Sequence, residues 1–174
     1  SRELWIEGDD FAEVPPKGWK RLVPGGEVRL RGAGIVRCDE VVKDADGGIV
    51  ELRGTLDPES RPGMEGANRK VKGTIHWVDA ARAVEAEVRL YDRLFSVPDP
   101  DDESEGLGYR DYLNPDSRAT VRGYVEPAAA TASAEQSYQF ERLGYFVADR
   151  RDHREGAPVF NRSVTLRDTW AAKA

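Results

Sequence analysis

Apolar and polar residues alternate along most of this chain, and this period of two restricts its fold more than any other feature. In the clearest stretch, AVEAEVRLY, the residues Val84, Ala86, Val88 and Leu90 share one face while charged residues occupy the other. Successive side chains of a β-strand point to opposite faces, so such a stretch buries one face and exposes the other. No window of about 12 residues or more shows a sustained helical stripe. The pattern predicts an all-β protein.

Turn residues divide the alternating stretches into short strands. The sequence KDADGG interrupts residues 27–56 and predicts a hairpin there, because an Asp-Gly pair favours a tight turn. Residues 96–108, rich in proline, glycine and acidic residues, are predicted to form a loop. Three further strand-like stretches follow: ATVRGYVEP, SYQFERLGYFVAD and PVFNRSVTLRDTW. Several short strands separated by turns predict barrels or a sandwich.

Composition and length exclude several classes of protein. The 174 residues suffice for one large domain or two small barrels, and 39% hydrophobic with 33% charged residues is typical of a soluble globular protein. No apolar run reaches the roughly 20 residues that span a bilayer, and no signal peptide is visible. Cys38 is the single cysteine, which excludes an internal disulfide. The chain begins with Ser1 and its single methionine is Met64, so we expect a piece of a longer protein.

Charge is distributed unevenly along this acidic chain, whose formal net charge is −6. Between residues 17 and 37 it carries six cations and one anion, whereas residues 99–105 carry acidic side chains and no cation. Val28 and Leu30 alternate with Arg29 and Arg31, so both arginines should share an outward strand face. Because salt screens charges beyond about 8–10 Å, a basic patch can persist on an acidic protein.

Motifs for catalysis or metal binding are missing from the sequence. It contains no glycine-rich phosphate loop, nucleophile elbow or metal-binding helix motif, and its two histidines are far apart without cysteine partners. The acidic run lacks the alternating ligands and the distal glutamate of a calcium loop. We therefore expect no catalytic residue and no metal site in this chain, which indicates a binding module.

Planar hydrogen-bonding side chains on strands suggest what the module binds. Guanidinium and amide groups make paired hydrogen bonds to base edges, and aromatic rings can stack on an unpaired base. The candidates of the first kind are Arg21, Arg29, Arg31, Gln139 and Arg142, and the rings beside the last two are Tyr138, Phe140, Tyr145 and Phe146. Each arginine could equally be a solvent-facing strand residue. From the residues alone, RNA binding and a protein-interaction barrel both stay open.

Long strings along the chain resemble the carboxy-terminal anticodon-binding region of bacterial glutaminyl-tRNA synthetase, a class I aminoacyl-tRNA synthetase. They are, in order, WKRLVPGGEVRLRGAGIV, RKVKGTIHWVDA, EVRLYDRLFSVPDP, YQFERLGYF and PVFNRSVTLRDTW. The resemblance implies two small β-barrels, distal and proximal to the catalytic domain, similar to the barrel of a 5S-RNA-binding ribosomal protein. It implies a distal barrel over residues 17–96 and a proximal barrel over residues 97–174. Residues 1–16 would then be a lead-in that belongs to the proximal barrel.

The same resemblance implies a site for the three anticodon bases. Arg21, with Lys20 beside it, matches the residues that the family uses for the third base. Arg29 and Arg31 match the pair near the first base. Gln139 and Arg142 match the family's contacts to the central uridine. The acidic loop is longer and more charged than in the better-known enterobacterial pattern, which leaves its contacts open.

The resemblance also implies the activity of the whole protein, glutamine–tRNA ligation. Its catalytic domain, absent from this chain, would use ATP with Mg²⁺ and glutamine, while this part holds the anticodon loop of tRNA(Gln). A cytoplasmic monomer without membrane attachment is expected. Two alternatives share the architecture: the anticodon-binding region of an archaeal- or eukaryotic-type glutamyl-tRNA synthetase, and a 5S-RNA-binding ribosomal barrel protein.

Overall fold

The chain folds into two compact units, Ser1–Ala81 and Arg82–Ala174. The computed structural model of the chain describes residues 2–102 and 106–166. Glu103 and Glu105 of the acidic run, and the final RDTW of the last family-like string, lie outside the described residues.

Among its described residues, the first unit contains six strands in two sheets, one antiparallel and one mixed. They are β1 (Leu4–Trp5), β2 (Glu27–Leu30), β3 (Ile35–Lys43), β4 (Ile49–Asp57), β5 (Thr74–Ile75) and β6 (Val78–Asp79). Four strands form a sheet in the order β4-β3-β2-β5, and β1 pairs with β6. The pairing of β2 with β5 is parallel, while the other pairs are antiparallel. Short 3₁₀ turns occupy Gly8–Asp10, Pro58–Ser60 and Glu65–Asn68.

The predicted hairpin within residues 27–56 is present as β3 and β4. Its turn is fixed by Asp44, whose carboxylate accepts hydrogen bonds from the backbone N–H groups of Asp46 and Gly48, at 3.0 and 2.7 Å. In β2, Val28 and Leu30 are buried as the alternation predicts. They pack with Leu22, Cys38 and Ile75 in the core of this unit, which leaves Arg29 of β2 on the opposite face. The two inward residues of β2 thus follow directly from the period of two.

The second unit contains a single five-stranded sheet among its described residues, in the order β8-β7-β11-β10-β9. Its strands are β7 (Val84–Tyr91), β8 (Arg118–Val125), β9 (Ser137–Phe140), β10 (Gly144–Ala148) and β11 (Val159–Val164). One short helix, α1 (Pro127–Ala130), follows β8. Residues 96–108 connect β7 to β8 outside any strand, as predicted, so far as they are described.

Phe160 is the centre of the second core and is fully buried. Its ring contacts Tyr138 and Phe140 edge-on, with centroids 5.9 and 5.2 Å apart, and Phe140 stacks on Phe146 at 4.4 Å. Side chains of β7 complete the core, including the predicted inward residue Ala86. Burial of this aromatic surface stabilises the sheet.

The structure confirms the all-β class. The chain forms two units, as two barrels would require. Closure of either sheet into a barrel stays a prediction. The division of the chain differs from the predicted limits at two places. The resemblance implies that β7 belongs to the distal barrel over residues 17–96, but β7 pairs with β8 and β11 and so lies in the sheet of the second unit. Residues 1–16 pair within the first unit, through β1 with β6 and through a bridge from Phe11 to Leu22. The names distal and proximal stay a prediction.

Acid should weaken the second unit through Asp149, which directly follows β10. Its carboxylate accepts hydrogen bonds from the Asn161 amide and the backbone N–H groups of Asp152 and Arg151, and Arg89 lies 3.3 Å away. These contacts lower the pKa of Asp149 to about 2. Because its pKa is lower in the folded state than in the unfolded state, the ionised Asp149 carboxylate adds about 2 kcal/mol to the free energy of unfolding above pH 4. This contribution is lost as the pH falls toward 2.

The Asp149→Asn variant should therefore lose stability at pH 6 but differ less from the original chain as the pH approaches 2. Urea unfolding across this pH range measures the difference in free energy. Glu155→Gln, which changes an exposed carboxylate of the same unit, serves as the control. An equal gap between Asp149→Asn and the original chain at every pH would contradict the assignment.

Candidate nucleic-acid interface

Arg21 is held in place by the segment that precedes it. Its Nη1 donates to the backbone carbonyl of Asp9 at 2.5 Å, and its Nε lies 3.4 Å from the Asp10 carboxylate. Its guanidinium carbon also lies 5.5 Å from the centre of the Trp19 ring, within range of a cation–π contact. Asp10 is buried, whereas 36% of the Arg21 side chain is exposed. The guanidinium is thus anchored on one side and open to solvent on the other.

Arg29 lies on β2, whereas Arg31 lies outside the strand, so the structure does not show the predicted shared strand face. Arg29 donates from Nη1 to the carbonyl of Ser60 at 3.1 Å and from Nη2 to the carbonyl of Arg69 at 2.8 Å. Arg31 lies in the turn after β2 with an exposed side chain, and its carbonyl accepts a hydrogen bond from Trp77 Nε1 at 2.9 Å. Arg29 therefore fixes the loop over residues 60–69, while the backbone of Arg31 is held by hydrogen bonds with Ile75 and Trp77.

The loop that Arg29 holds is fixed a second time by Arg69. The Arg69 guanidinium contacts the Glu27 carboxylate at 2.7 and 3.2 Å and the Asp57 carboxylate at 3.0 Å. The hydrogen bond from Arg69 holds the pKa of Glu27 below its usual value. Arg29 of β2 thus donates to carbonyls of the loop, and Arg69 of the loop donates to Glu27 of β2. The strand and the loop are therefore joined by hydrogen bonds from each to the other.

Gly73 joins the two arginine-bearing segments. Its carbonyl accepts a hydrogen bond from the backbone N–H of Arg29 at 2.9 Å. On its other side, a Cβ added to Gly73 would lie 2.8 Å from the carbonyl carbon of Lys20 and would overlap the carbonyl oxygen. Only glycine allows this approach of two backbones. Farther along, the Ile75 carbonyl accepts a hydrogen bond from the backbone N–H of Arg31 at 3.0 Å. The structure therefore brings Lys20, Arg21, Arg29 and Arg31 against the single segment 69–75.

Two further cations on this segment were missed by the sequence reasoning. Lys70 and Lys72 are exposed and flank Val71, directly before Gly73. The signal was present in the string RKVKG, which carries three cations in four residues. The approach of this segment to the Lys20 backbone joins parts of the chain that are distant in sequence, so the sequence alone did not connect these cations to the site.

In the second unit, the two predicted residues lie on one hairpin. Gln139 is exposed on β9, the edge strand of the sheet, and Phe140 pairs with Gly144 across a three-residue loop. Arg142 occupies that loop, half-buried, with a backbone φ of 65°. A non-glycine residue in this left-handed region is strained, and such strain is concentrated at functional sites.

The four rings suggested as stacking partners divide into two groups. Tyr138, Phe140 and Phe146 pack in the core around Phe160. Tyr145 is 46% exposed and is the Cα partner of Gln139 across the hairpin. The prediction that all four rings can face a base is therefore wrong for three of them, because strand alternation turns those three to the opposite face.

The described residues gather four predicted site residues in the first unit and two in the second. Residues 2–102 and 106–166 contain no group of three or more acidic, histidine or cysteine side chains arranged to hold a metal ion. Within the same ranges, no helix is long and apolar enough to cross a membrane. What the arrangement offers is planar cationic and amide groups on strand and turn surfaces, which suit the edges of unpaired bases.

Comparisons with known proteins identify a family over two stretches of the chain. Residues 1–57 and residues 74–149 each match a family model described as tRNA synthetases class I (E and Q), anti-codon binding domain. The first range contains Lys20, Arg21, Arg29 and Arg31, and the second contains Gln139 and Arg142. Together the two matches cover about three quarters of the chain.

Individual relatives align over nearly the whole chain. The glutamine–tRNA ligase of Xanthomonas axonopodis pv. citri is 82% identical over 98% of this chain, and that of Xylella fastidiosa strain M12 is 74% identical over 98%. The chain spans about 30% of the length of these relatives. From its sequence, its fold and these matches, the chain belongs to the anticodon-binding domains of the class I tRNA synthetases of the E and Q group.

Proposed function

We propose that this chain is the anticodon-binding part of a glutamine–tRNA ligase and that it binds the anticodon loop of tRNA(Gln). Relatives named glutamine–tRNA ligase at 74–82% identity support glutamine as the amino acid. The remainder of the longer protein would bind ATP with Mg²⁺ and glutamine and would carry out the ligation. We propose that the enzyme is a cytoplasmic monomer.

The observation that carries this proposal is the grouping of Lys20, Arg21, Arg29 and Arg31 around segment 69–75. Exposed Lys70 and Lys72 extend this cationic surface, which suits the phosphates of an RNA loop. Phosphate contacts supply affinity and orientation, whereas contacts to base edges supply specificity. A surface that combines both kinds of group suits an unpaired loop whose bases are turned outward.

We assign each group of side chains to one anticodon base, following the family resemblance. Arg21 would read the third base, guanine in glutamine anticodons, since a guanidinium pairs two donors with the O6 and N7 acceptors of guanine. Arg29 and Arg31 would contact the first base. Gln139 and Arg142 would contact the central uridine, because an amide can both donate to and accept from uracil.

Unstacking these bases costs a few kcal/mol, so contacts made only in the bound state must offset that cost. Stacking returns about 1–3 kcal/mol per base, and hydrogen bonds to each base edge add to it. This balance explains why the proposed site needs rigid side chains. Arg21 and Arg29 are already oriented by the backbone carbonyls of Asp9, Ser60 and Arg69.

Fluorescence anisotropy with a labelled tRNA(Gln) transcript tests the proposal on the full-length protein that carries this chain. We expect tighter binding to tRNA(Gln) than to a transcript whose third anticodon base is cytosine, as in glutamate anticodons. Affinity should also fall with added salt, because bound cations displace counterions from phosphates. Absence of tRNA binding would overturn the proposal and favour a protein-interaction module.

Glutamyl-tRNA synthetase is the second candidate, because the matched family model describes both E and Q enzymes. The same experiment separates the two. Preference for the cytosine-containing transcript would indicate the glutamate enzyme, and preference for the original tRNA(Gln) would indicate the glutamine enzyme. Equal binding to 5S RNA and tRNA would instead support the ribosomal alternative.

A further inference from the structure

Three outward side chains form a row across the edge of the second sheet. Gln139 on β9 is the Cα partner of Tyr145 on β10, and Tyr145 is in turn the Cα partner of Val164 on β11. Gln139 is exposed, and the exposed fractions of Tyr145 and Val164 are 46% and 57%. We call these three residues the Tyr145 row. It places an amide, a ring and an aliphatic side chain side by side on one surface.

The strand register makes the Tyr145 row compact. Directly opposed residues of antiparallel strands have Cβ atoms about 5 Å apart, so the Gln139 amide and the Tyr145 ring are neighbours. The backbone beneath the ring is also fixed, because the Tyr145 carbonyl accepts a hydrogen bond from Ser163 Oγ at 3.1 Å. A fixed ring next to a hydrogen-bonding amide is a suitable surface for one flat, polar-edged ligand.

The other aromatic rings beside Gln139 pack in the core of the second unit. Tyr138, Phe140 and Phe146 all pack toward Phe160, whereas Tyr145 points away from this core. Because Gln139 lies between Tyr138 and Phe140, alternation sends it to the outer face together with Tyr145. Tyr145 is thus the ring that shares a face with Gln139, and it does not pack in the core.

We propose that Tyr145 is the stacking platform for the unpaired pyrimidine whose edge Gln139 reads, with Val164 bordering the ring. This inference rests on the proposed function, since it adds a contact to the site assigned to the central uridine. Tyr145 supplies a face that is indifferent to base identity, and Gln139 supplies the edge contacts that distinguish one base from another. Affinity and specificity for the same base are therefore separated on two neighbouring side chains.

Binding of a labelled tRNA(Gln) transcript to the full-length protein tests Tyr145. Tyr145→Ala should weaken binding by about tenfold to a hundredfold, the range expected for loss of one stacked base. Tyr145→Phe should bind like the original protein, because the ring is retained. Tyr124→Ala is the matched control, since Tyr124 is also 46% exposed but lies on β8 at the opposite edge of the sheet.

A second transcript, in which the central anticodon nucleotide lacks its base, links the effect to that base. If Tyr145 stacks on it, Tyr145→Ala should cause no further loss of affinity for this transcript. An equal loss with both transcripts would overturn the inference, as would unchanged binding of Tyr145→Ala to intact tRNA(Gln). If the original protein itself does not bind tRNA(Gln), the proposed function fails, which is a separate and distinguishable result. Urea unfolding of Tyr145→Ala must match that of Tyr124→Ala, and a selective loss of folding would also count against the inference.

Discussion

Arg21→Lys is expected to leave the fold intact and to reduce discrimination at the third anticodon base by about tenfold to a hundredfold. A good bidentate contact to guanine contributes about 1–3 kcal/mol of discrimination. Lysine presents a single charged point and cannot reproduce the two parallel donors of a guanidinium. The measured quantity is the ratio of dissociation constants for tRNA(Gln) and for its third-base cytosine variant.

The choice of lysine rather than alanine follows from the contacts of Arg21. Asp10 is 1% exposed and lies 3.4 Å from Arg21 Nε, so alanine would remove a cation from beside a buried carboxylate. That loss would destabilise the first unit and confuse a folding effect with a recognition effect. Lysine keeps the positive charge near Asp10 and removes the planar fork.

Arg118→Lys is the matched control, since Arg118 is an exposed arginine of β8 outside the proposed site. It should bind both transcripts as the original protein does. If Arg21→Lys lowered affinity for both transcripts by the same factor, Arg21 would be a phosphate contact and not a reader of the third base. A change of specificity in Arg118→Lys would mean that the site has been placed on the wrong surface.

Gly73→Ala is expected to destabilise the first unit by about 3 kcal/mol, at the upper end of the usual cost of overpacking. The added methyl group would overlap the backbone carbonyl of Lys20, and a backbone cannot rotate out of the way as a side chain can. The displacement would also strain the hydrogen bond from Arg29 to the Gly73 carbonyl. Urea unfolding of the chain measures the loss.

Because Gly73 joins the segment that carries Lys20 and Arg21 to the strand that carries Arg29, Gly73→Ala should also weaken tRNA(Gln) binding and third-base discrimination together. Gly8→Ala is the control within the same unit, because a Cβ at Gly8 meets no described atom within 4 Å. Its stability and binding should stay close to those of the original chain. A stable Gly73→Ala protein with normal discrimination would show that the close approach to Lys20 does not organise the site.

Much of the fold was accessible from the sequence because strand alternation is a local property. The inward residues of β2 and β7 follow from the period of two, and the hairpin between β3 and β4 follows from its Asp-Gly turn. The same rule already separates Tyr138 and Phe140 from Gln139. The erroneous expectation for those rings came from counting aromatic neighbours without assigning them to a face.

The limits of the two units were less accessible. Strand β7 follows the first unit in the chain, so nothing local shows that its partners are β8 and β11. The parallel pairing of β7 with β11 joins segments separated by most of the second unit. Similarly, β1 pairs with β6 at the far end of the first unit. Pairings between distant strands depend on the packing of the whole sheet and leave little trace in either strand.

By itself the sequence determined the all-β class, the family resemblance and the residue types suited to base recognition, since these depend on short-range alternation and on strings read along the chain. Only the tertiary structure decided that Gly73 brings Lys20 and Arg29 together, that Arg29 also holds the loop before that glycine, and that Tyr145 accompanies Gln139. The physical reason is that a backbone approach and a strand register are each fixed by two segments at once, and neither segment alone contains the information about its partner.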